Sequence, residues 1–456
     1  MSNHLKQWES NPMSKADMIR CIVLVCLYSL LFHFIFTHSI RIDYSSFYSC
    51  SKALFQGDNP YQSLYTTYLP TVKKISLNIN PPIVLMLFMP LSKMGYSASL
   101  ILWSSISIVF GLITASVSFK LAFKPAFLRQ HRTSLYLIYF AFFPPIINLA
   151  IGQLGTLIGF FVITGYYFYT KKQDIPAAIM WGIIIAMKFF PGLLFFYALK
   201  QRRYKVMGIM AVTVAIISII PYLAYGAGIY SNYFNMLSHL TWYGDNWNAS
   251  FNGFLFRVLT DAHSTAIDLF LVKYLYVILF FISLIWYLKK IDSKTDATAQ
   301  ALSSNVNRVP SDNHHAFSLT LVMMLLMSPF GWIYYFPLMI LPLCLTWSDV
   351  SALHAGKKMR FAWILCLFLI NFPMNYLPIQ HVTSGIEQWT LHSFYFYGLC
   401  LLVYLLTRAN SNMTCEKRQK QTPLPASNGL FTSIQSILTF GVLILSMEFI
   451  LQSTSH

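Results

Sequence analysis

The chain has 456 residues, of which 56% are hydrophobic and only 10% are charged, and its mean hydropathy is +0.55. Soluble domains carry about 25% charged residues, so this composition excludes a soluble globular protein and indicates a membrane protein that crosses the bilayer many times. A span needs about 20 residues to cross a hydrocarbon core roughly 30 Å thick. The length therefore allows about ten or more helices and leaves no soluble domain of useful size.

The net charge of +17 would suggest nucleic-acid binding in a soluble protein, but its distribution along the chain argues otherwise. Most of the 32 Lys and Arg residues fall in short segments between apolar stretches. Basic cytoplasmic loops of a polytopic membrane protein have this pattern, because their charge faces anionic lipid head groups. We therefore predict contact with the lipid bilayer and no nucleic-acid partner. The basic segments are Lys6 to Arg20, Lys120 to Arg132, Lys171 and Lys172, Lys200 to Lys205, Lys289 to Arg308, Lys357 to Arg360, and Arg408 to Lys420.

With these segments in the cytoplasm, residues 1–17 form a cytoplasmic N-terminus and the first span follows. No Ala-x-Ala-like cleavage site precedes Arg41, so this span is predicted to be retained rather than removed as a signal peptide. Residues 39–80 then form the first extracytoplasmic loop. We divide the chain into a transmembrane module over 18–346 and further transmembrane helices over 347–456. The predicted spans are 18–38, 97–119, 134–150, 154–170, 206–225, 266–288, 316–328, 334–347, 361–377, 393–408 and 430–450.

Two further apolar stretches do not fit as ordinary spans. Residues 81–94 form a short stretch that contains three prolines, and residues 176–199 lie between two basic loops with Lys188 and Pro191 at their middle. Both are predicted to be partial or re-entrant elements. Non-helical backbone is tolerated at membrane depth only where protein or a water-filled cavity surrounds it, so these breaks indicate a cavity. The second stretch carries Lys188 toward the outer loops, which places any chemistry on the extracytoplasmic face.

Cysteine and histidine spacing indicates neither a disulfide framework nor a metal site. Of the seven cysteines, only Cys50 lies in a predicted outer loop. His314 and His315 are predicted to be solvated residues of a polar cytoplasmic linker. The chain also has no Gly-rich phosphate loop. We therefore expect no metal ion and no bound cofactor.

A series of short motifs occurs in the order seen in glycosyltransferase family 87, which the chain resembles from about residue 20 to residue 345. Each motif is weak alone, but their number, order and placement in outer loops make the combination fairly specific. That family belongs to the GT-C superfamily. The resemblance implies an all-α polytopic membrane protein with a GT-C-type transmembrane helix bundle of about eleven spans and one or two re-entrant or partial elements. The motifs are Asp43-Tyr44 with Gly57-Asp58-Asn59-Pro60-Tyr61, Asn80-Pro81-Pro82 with Met89-Pro90-Leu91, Asn148-Leu149 with Gly152-Gln153, Met187-Lys188 with Pro191, Asn248-Ala249-Ser250 with Arg257, and Ser328-Pro329 with Trp332.

The resemblance implies an enzyme that takes a hexose, typically mannose, from a polyprenyl-phosphate carrier and joins it to an acceptor hydroxyl. The reaction would occur at the extracytoplasmic face of a cell membrane, of the bacterial inner-membrane type, with the module over 18–346 as the catalytic part. Asp43 would be the general base, and transfer would invert the anomeric configuration. Protein cations can neutralise a lipid monophosphate leaving group, so no metal is expected. The acceptor stays open among a glycolipid, a polysaccharide and a protein.

The chemistry of the residues agrees with these roles. An acceptor hydroxyl is a poor nucleophile until a carboxylate accepts its proton, and such help is worth about 10² to 10⁴ in rate. The leaving phosphate needs fixed cations in a site of low dielectric constant. Lys188 and Arg257 are candidates because both lie outside the basic cytoplasmic segments, and a lysine within the membrane costs roughly 2.5 to 3.5 kcal/mol. Asn248 and Gln153 are candidate ligands of sugar or phosphate oxygens.

Two motifs depart from the family pattern. Asn248-Ala249-Ser250 lacks the usual Gln in its middle, and the last motif differs at its end. Relatives often have Ser-Trp-x-His in the last motif, whereas this chain has Gly331-Trp332-Ile333-Tyr334. A tyrosine hydroxyl donates a hydrogen bond but carries no charge near neutral pH, so the affinity for the donor or its identity could differ. We place Tyr334 with the donor-binding residues. Asp58, Tyr61 and Trp332 are assigned to acceptor binding or to shaping the loops.

Each of the charged candidates also has a purely structural interpretation. Ion pairs within loops are common, and a long lysine can extend along apolar surface until its ammonium group reaches water. The alternatives are an ion pair of Asp43 with Arg41, extension of Lys188 to the membrane interface, and an ion pair of Arg257 with Asp245 or Asp261.

Two other functions fit the same sequence. A transporter or flippase of lipid-linked sugars would also have broken helices and charges near the midplane. Two features argue against a transporter: the sequence has no evident internal repeat, and the outer loop over 39–80 is long and asymmetric. A catalytically inactive relative that acts as an assembly partner is the third interpretation, and the retention of Asp43, Lys188 and Arg257 argues against it.

Overall fold

The structure is a computed structural model of the chain, and it is built almost wholly from helices. It describes residues 15–37, 43–66, 73–74, 77–240, 242–260, 266–291, 312–351, 356–373, 389–411 and 428–454. Within these ranges, the only paired strands are two-residue segments, Tyr65–Thr66 and Lys73–Lys74, which form an antiparallel ribbon. The predicted all-α polytopic fold is confirmed.

The described residues form eighteen α-helices, numbered here in chain order, and several short 3₁₀ turns. The first nine are α1 Lys15–Thr37, α2 Tyr44–Gln56, α3 Pro82–Ser92, α4 Tyr96–Ala122, α5 Pro125–Ala141, α6 Phe143–Ile151, α7 Gly155–Thr170, α8 Asp174–Met187 and α9 Leu193–Lys200. The others are α10 Tyr204–Tyr225, α11 Gly228–Ser238, α12 Phe251–Leu259, α13 Ala266–Lys290, α14 Asp312–Met327, α15 Ile340–Ser351, α16 Lys357–Asn371, α17 Phe394–Ser411 and α18 Asn428–Thr454. The 3₁₀ turns are Phe190–Gly192, Trp242–Gly244, Ile333–Met339 and Leu391–Ser393.

Each of the predicted spans contains a helix, but the helices differ in length. In the part of the chain that the structure describes, 6 helical segments are long and apolar enough to cross a membrane, and a bent pair raises the number to 7. Helices α7, α14, α16 and α18 occupy the remaining predicted spans. Helix α16 ends at Asn371, before the predicted end of its span at residue 377, and residues 374–377 lie outside the described ranges.

The bent pair is formed by α5 and α6, which meet at 52°. The backbone of Phe142 between them is extended, with φ −75° and ψ 121°. Pro144 and Pro145 follow in the first turn of α6, where proline is tolerated because the first N–H groups of a helix have no partner within it. The N–H of Phe143 instead donates to Oδ1 of Asn371, at 2.7 Å.

The two apolar stretches that did not fit as spans are both interrupted. Helix α3 begins at Pro82 and has only 11 residues. Helix α8 ends at Met187. Lys188 follows with an extended backbone, φ −149° and ψ 131°, and the 3₁₀ turn Phe190–Gly192 then leads into α9. The predicted interruption at Lys188 is therefore present, and it places this residue on irregular backbone between two helices.

One apolar core extends through the described bundle from α1 to α18, and these two helices pack against each other. The predicted division of the chain into a module over 18–346 and further helices over 347–456 stays a prediction. A second, smaller cluster lies under the predicted outer loops and joins α2, α3 and α11. It holds the first outer loop against the loop over 226–265, with Tyr61 and Tyr233 in ring contact at 5.3 Å.

The first outer loop contains a buried helix, α2. Most of α2 is buried, including several serines, and the helix ends at Gly57 with φ +86°. Glycine adopts this left-handed conformation without strain, and it closes the helix with backbone bonds to Ala53 and Leu54. The N–H of Asp58 donates to the carbonyl of Ala53 at 2.9 Å, while its side chain is exposed. Tyr61 donates from its buried hydroxyl to the carbonyl of Asn80 at 2.9 Å, which gives it a loop-shaping role.

The predicted setting of the histidine pair is wrong, because both residues lie in α14 rather than in a solvated linker. His315 is buried and its Nε2 lies 2.7 Å from Oδ2 of Asp349. His314 contacts the hydroxyl of Tyr166 through Nδ1 at 2.9 Å. The helix begins earlier than the apolar pattern indicates, since polar residues that satisfy one another can enter the bundle.

Candidate active site

Asp43 lies just before α2, at the position where an aspartate usually caps a helix. Here its side chain makes no capping hydrogen bond. Its Oδ2 instead accepts a hydrogen bond from Nε2 of Gln153 at 2.5 Å. Gln153 follows Gly152, which ends α6 with φ +71°, so two short turns distant in sequence meet at this carboxylate. The alternative partner Arg41 lies outside the described residues.

Burial raises the pKa of the Asp43 carboxyl above its usual range. The hydrogen bond from Gln153 and the charge of Lys188 oppose this rise, while the negative charge of Asp245 adds to it. A carboxylate with a raised pKa is a stronger base than a solvated one. The surroundings of Asp43 thus suit a group that accepts a proton.

Lys188 is buried at the break after α8, with 8% of its surface exposed. Its Nζ lies 5.5 Å from the centroid of the Tyr335 ring, which favours a cation. Its charge and that of Asp43 attract each other, yet no carboxylate lies within 4.0 Å of it among the described residues. The ammonium group does not extend to the surface in this structure. Burial disfavours the charged form of this amine, and the negative charge of Asp43 favours it.

A cavity of about 250 Å³ adjoins Lys188. Its wall is largely apolar and aromatic, and the side chain of Lys188 supplies its charge. A lipid-like molecule with an anionic head matches such a wall, since the chain would contact apolar groups and the head would contact the ammonium group. The lining residues are Ile79, Pro81, Lys188, Phe189, Phe190, Tyr233, Leu237, Leu240, Tyr243, Ser328, Pro329, Phe330 and Tyr335.

Asn248 connects two of the outer loops through its side-chain amide. Nδ2 donates to the carbonyls of Tyr243 and Pro329, both at 2.9 Å. Oδ1 accepts from the N–H groups of Gly331 at 2.9 Å and Ser250 at 3.2 Å. Both donors and both lone pairs of the amide are therefore used within the protein. The amide of Asn248 thus joins two outer loops in this structure, and its contact with the donor stays a prediction.

Arg257 is held firmly in the same region. Its Nη1 donates to the carbonyls of Asp245 and Asn248, both at 2.8 Å, and its Nε donates to Oγ of Ser393 at 3.2 Å. Its Nη2 is buried and has no hydrogen-bond partner among the described residues. Burial lowers the pKa of the guanidinium to about 10, so it remains positively charged at neutral pH.

The structural interpretation of Arg257, an ion pair with Asp245 or Asp261, is met only in part. The carboxylate of Asp245 attracts it but forms no ion pair within 4.0 Å, and the hydrogen bond goes to the backbone carbonyl. Asp261 lies outside the described residues. The unpartnered Nη2 is thus the part of Arg257 that remains to bind an anion.

Trp332 and Tyr334 follow directly on the loop that Asn248 contacts. Trp332 pairs with Asn248 in an isolated β-bridge, and its ring stacks on Phe330 with centroids 5.4 Å apart. Tyr334 is buried, with its ring 6.0 Å from that of Trp332, and its hydroxyl lies close enough to interact electrostatically with Asp43. The structure thus brings Tyr334 to the candidate base and places Trp332 in the framework of the loop.

Sequence reasoning missed two residues at this site. Asp245 was considered only as a partner for Arg257, yet its carboxylate also interacts with that of Asp43. Tyr335 lines the cavity and faces the ammonium group of Lys188. An aromatic residue in a span usually contacts lipid or the protein core, so Tyr335 does not stand out in the sequence. The one signal for it was its place directly after Tyr334.

Gly155 sets how closely the segment with Tyr334 approaches α7. A Cβ at this glycine would lie 1.7 Å from the carbonyl oxygen of Tyr334 and 2.7 Å from Oδ1 of Asn148. We expect Gly155→Ala to destabilise the protein by about 1–3 kcal/mol, because neighbouring backbone must move. Thermal unfolding in detergent measures this. Gly208→Ala in α10 is the control, since its Cβ would meet nothing within 4 Å. Equal unfolding temperatures for both variants would contradict the close approach.

Comparison with known protein families identifies the family of this chain. The sequence model of glycosyltransferase family 87 matches residues 78–307, just over half of the 456-residue chain. The chain belongs to glycosyltransferase family 87. No curated protein and no solved structure matched it in comparisons with each. The protein is therefore a glycosyltransferase with several membrane-capable helices.

The family 87 match covers only part of the candidate site. Gln153, Lys188 and Arg257 lie inside the matched residues, whereas Asp43 and Tyr334 lie outside them on either side. The structure nevertheless brings Asp43 to the matched region through its hydrogen bond with Gln153. The candidate site of this family 87 member is thus assembled from three separated parts of the chain.

Proposed function

We propose that this glycosyltransferase moves a hexose, typically mannose, from a polyprenyl-phosphate carrier to an acceptor hydroxyl at the extracytoplasmic face of a bacterial inner membrane. One observation carries the proposal. A partly buried carboxylate, Asp43, is within electrostatic reach of a buried lysine, Lys188, that lacks a carboxylate within 4.0 Å among the described residues and lines an apolar cavity. Sugar transfer from a lipid phosphate requires a base for the acceptor and a cation for the leaving phosphate, and the proposal gives these roles to Asp43 and Lys188.

In the proposed reaction, Asp43 acts on the acceptor. Oδ2 is occupied by Gln153, and no hydrogen bond to Oδ1 appears among the described residues. Oδ1 accepts the proton of the acceptor hydroxyl as its oxygen forms a bond to the anomeric carbon. The bond from that carbon to the phosphate oxygen breaks, and its electron pair stays on the phosphate. A single displacement of this kind inverts the anomeric configuration, from a β-linked donor to an α-linked product.

The leaving phosphate gains negative charge as the bond breaks. Lys188 is the first candidate to balance that charge, and Nη2 of Arg257 is the second. Fixed cations in a site shielded from water stabilise such charge more strongly than solvent does. Both groups belong to the protein, and the hydroxyl of Tyr334, which is hydrogen-bonded to that of Tyr335, lies within electrostatic reach of Asp43.

A panel of labelled donors tests this function. Purified protein in proteoliposomes would receive polyprenyl-phosphate-mannose, polyprenyl-phosphate-glucose or a nucleotide-linked mannose, with a membrane extract as the acceptor. We expect label on the acceptor only with a lipid-linked donor, and the α-anomer in the product. Transfer from the nucleotide sugar without transfer from either lipid-linked donor would contradict the proposal.

The hydrogen bond from Gln153 predicts a change in pH dependence. Asp43 must be ionised to accept a proton, so kcat/KM falls as the pH decreases through the pKa of Asp43. The bond from Gln153 holds that pKa down, and Gln153→Leu should therefore move the acidic limb of the profile to higher pH. The exposed Gln173→Leu is the matched control and should leave the limb in place. A limb that stays put or moves to lower pH in Gln153→Leu would argue against Asp43 as the titrating base.

A further inference from the structure

A second cavity lies far from the candidate active site, between α1, α5 and α18. Its volume is about 440 Å³, and it lies between the first half of α1 and residues 435–443 of α18. Asp43 follows the opposite end of α1, and the 17 helical steps from Arg20 to Thr37 span roughly 26 Å. The cavity therefore lies near the end of α1 that is remote from Asp43.

The lining of this cavity changes in polarity along both helices. It is mixed along the first part of each, with Ala16, Ile19 and Arg20 on α1 and Gln435, Ser436 and Thr439 on α18. The lining residues that follow are apolar, Val23 on α1 and Phe440, Val442 and Leu443 on α18, and we call them the apolar end. Residues 16–23 of α1 extend over about 10 Å of helix, and we call this cavity the slot.

Arg20 is unusual among the basic residues at this side of the membrane because it is buried, with 7% of its surface exposed. Its Nη1 lies 3.4 Å from Oδ1 of Asp17, a long contact. Its Nε is buried and has no hydrogen-bond partner among the described residues. Asp17 does not supply that partner, since its other oxygen accepts from Ser134 at 3.3 Å. A buried N–H group of a cation without an acceptor is costly, and an external acceptor would remove the cost.

We propose that this slot binds a phospholipid of the leaflet beside the basic loops, with the phosphate on Arg20 and one acyl chain along the apolar end. A phosphate oxygen would accept from the guanidinium group of Arg20, in a charge-assisted hydrogen bond. Lys15 lies one helical turn before Ile19, which lines the slot, and adds positive charge at its mouth. A free phosphate would leave the apolar half of the slot unfilled, so the structure favours a lipid.

Native mass spectrometry of the full-length protein after mild delipidation measures the occupancy. We expect one retained phospholipid on the wild type. Arg20→Gln should lower the bound fraction about fivefold or more, as expected for one basic residue at a lipid head group. Leu443→Trp should lower it as well, by filling the apolar end without touching Arg20. The matched controls are Arg129→Gln, an exposed arginine at the start of α5, and Met447→Trp, an exposed position of α18 that does not line the slot.

Three added probes distinguish the ligand chemistry. Phosphatidylglycerol should restore the bound species, whereas diacylglycerol, which lacks the phosphate, should not. Glycerol 3-phosphate lacks the acyl chains, and its retention at equal occupancy would overturn the lipid assignment in favour of a free phosphate site. Unchanged phospholipid retention in both Arg20→Gln and Leu443→Trp would overturn the proposal altogether. Because the readout is bound lipid mass, it does not depend on whether the proposed transfer reaction is correct.

Discussion

Asp43→Asn should lower the rate of sugar transfer by about 10²- to 10⁴-fold while the affinity for the donor stays nearly unchanged. Asparagine has the same shape, and its amide oxygen can still accept from Nε2 of Gln153. The amide cannot take a proton from the acceptor hydroxyl. The loss should therefore appear in the chemical step, and a single-turnover measurement with saturating donor isolates that step.

The control for this variant comes from the same outer loop. Asp58→Asn removes one negative charge from an exposed side chain, while the backbone N–H that helps to end α2 remains. We expect transfer by Asp58→Asn to stay within about threefold of the wild type, since surface substitutions away from special contacts have small effects. Equal losses in both variants would mean that loop charge, rather than the base, limits the reaction.

Lys188→Gln should lower kcat/KM by about 10²- to 10³-fold, the effect of losing one fixed group that stabilises developing charge. It should also weaken binding of the sugar-free polyprenyl phosphate, because the buried cation supplies the charge of the cavity wall. Lys188→Arg should recover part of both, since the charge is restored in a different geometry. Measurement of KM, kcat and carrier affinity in the three proteins separates binding from catalysis.

Lys93→Gln is the matched control for this loss. Lys93 also lies over an aromatic ring, that of Phe55 at 4.4 Å, but its side chain is exposed. It should change carrier affinity little. The Lys188 variant carries a second signature, because the charge of Lys188 lowers the pKa of Asp43. Its removal should move the acidic limb to higher pH. Normal carrier affinity together with an unshifted limb in Lys188→Gln would exclude the proposed role.

The positions of the helices could be predicted because apolar length and basic loops are properties of the sequence itself. The break at Lys188 was also visible, since a lysine and a proline interrupt an apolar stretch there. The burial of α2 was not, because its serines read as a solvated loop. Hydrogen bonds within the helix satisfy some of them, such as the bond from Ser49 Oγ to the carbonyl of Ser45 at 2.6 Å, whereas Ser51 Oγ is buried without a partner among the described residues.

The roles of the site residues were harder to predict than the helices. Asn248 looked like a ligand because an amide in an outer loop suits sugar oxygens. Its actual partners, the carbonyls of Tyr243 and Pro329 and the N–H of Gly331, are backbone groups that no sequence pattern displays. The hydrogen bond between Asp43 and Gln153 likewise joins two turns far apart in sequence, and only packing of the helices between them brings it about.

The central claim is that the protein transfers a sugar rather than moving a lipid-linked sugar across the membrane. The most direct test follows labelled polyprenyl-phosphate-mannose in sealed proteoliposomes that contain the wild-type protein and an acceptor extract. Our account predicts that the label becomes covalently attached to the acceptor, and that it stays on the carrier in the original leaflet when Asp43→Asn replaces the wild type. Label that remains on the carrier and appears in the opposite leaflet, in both proteins, would contradict the account and indicate a flippase.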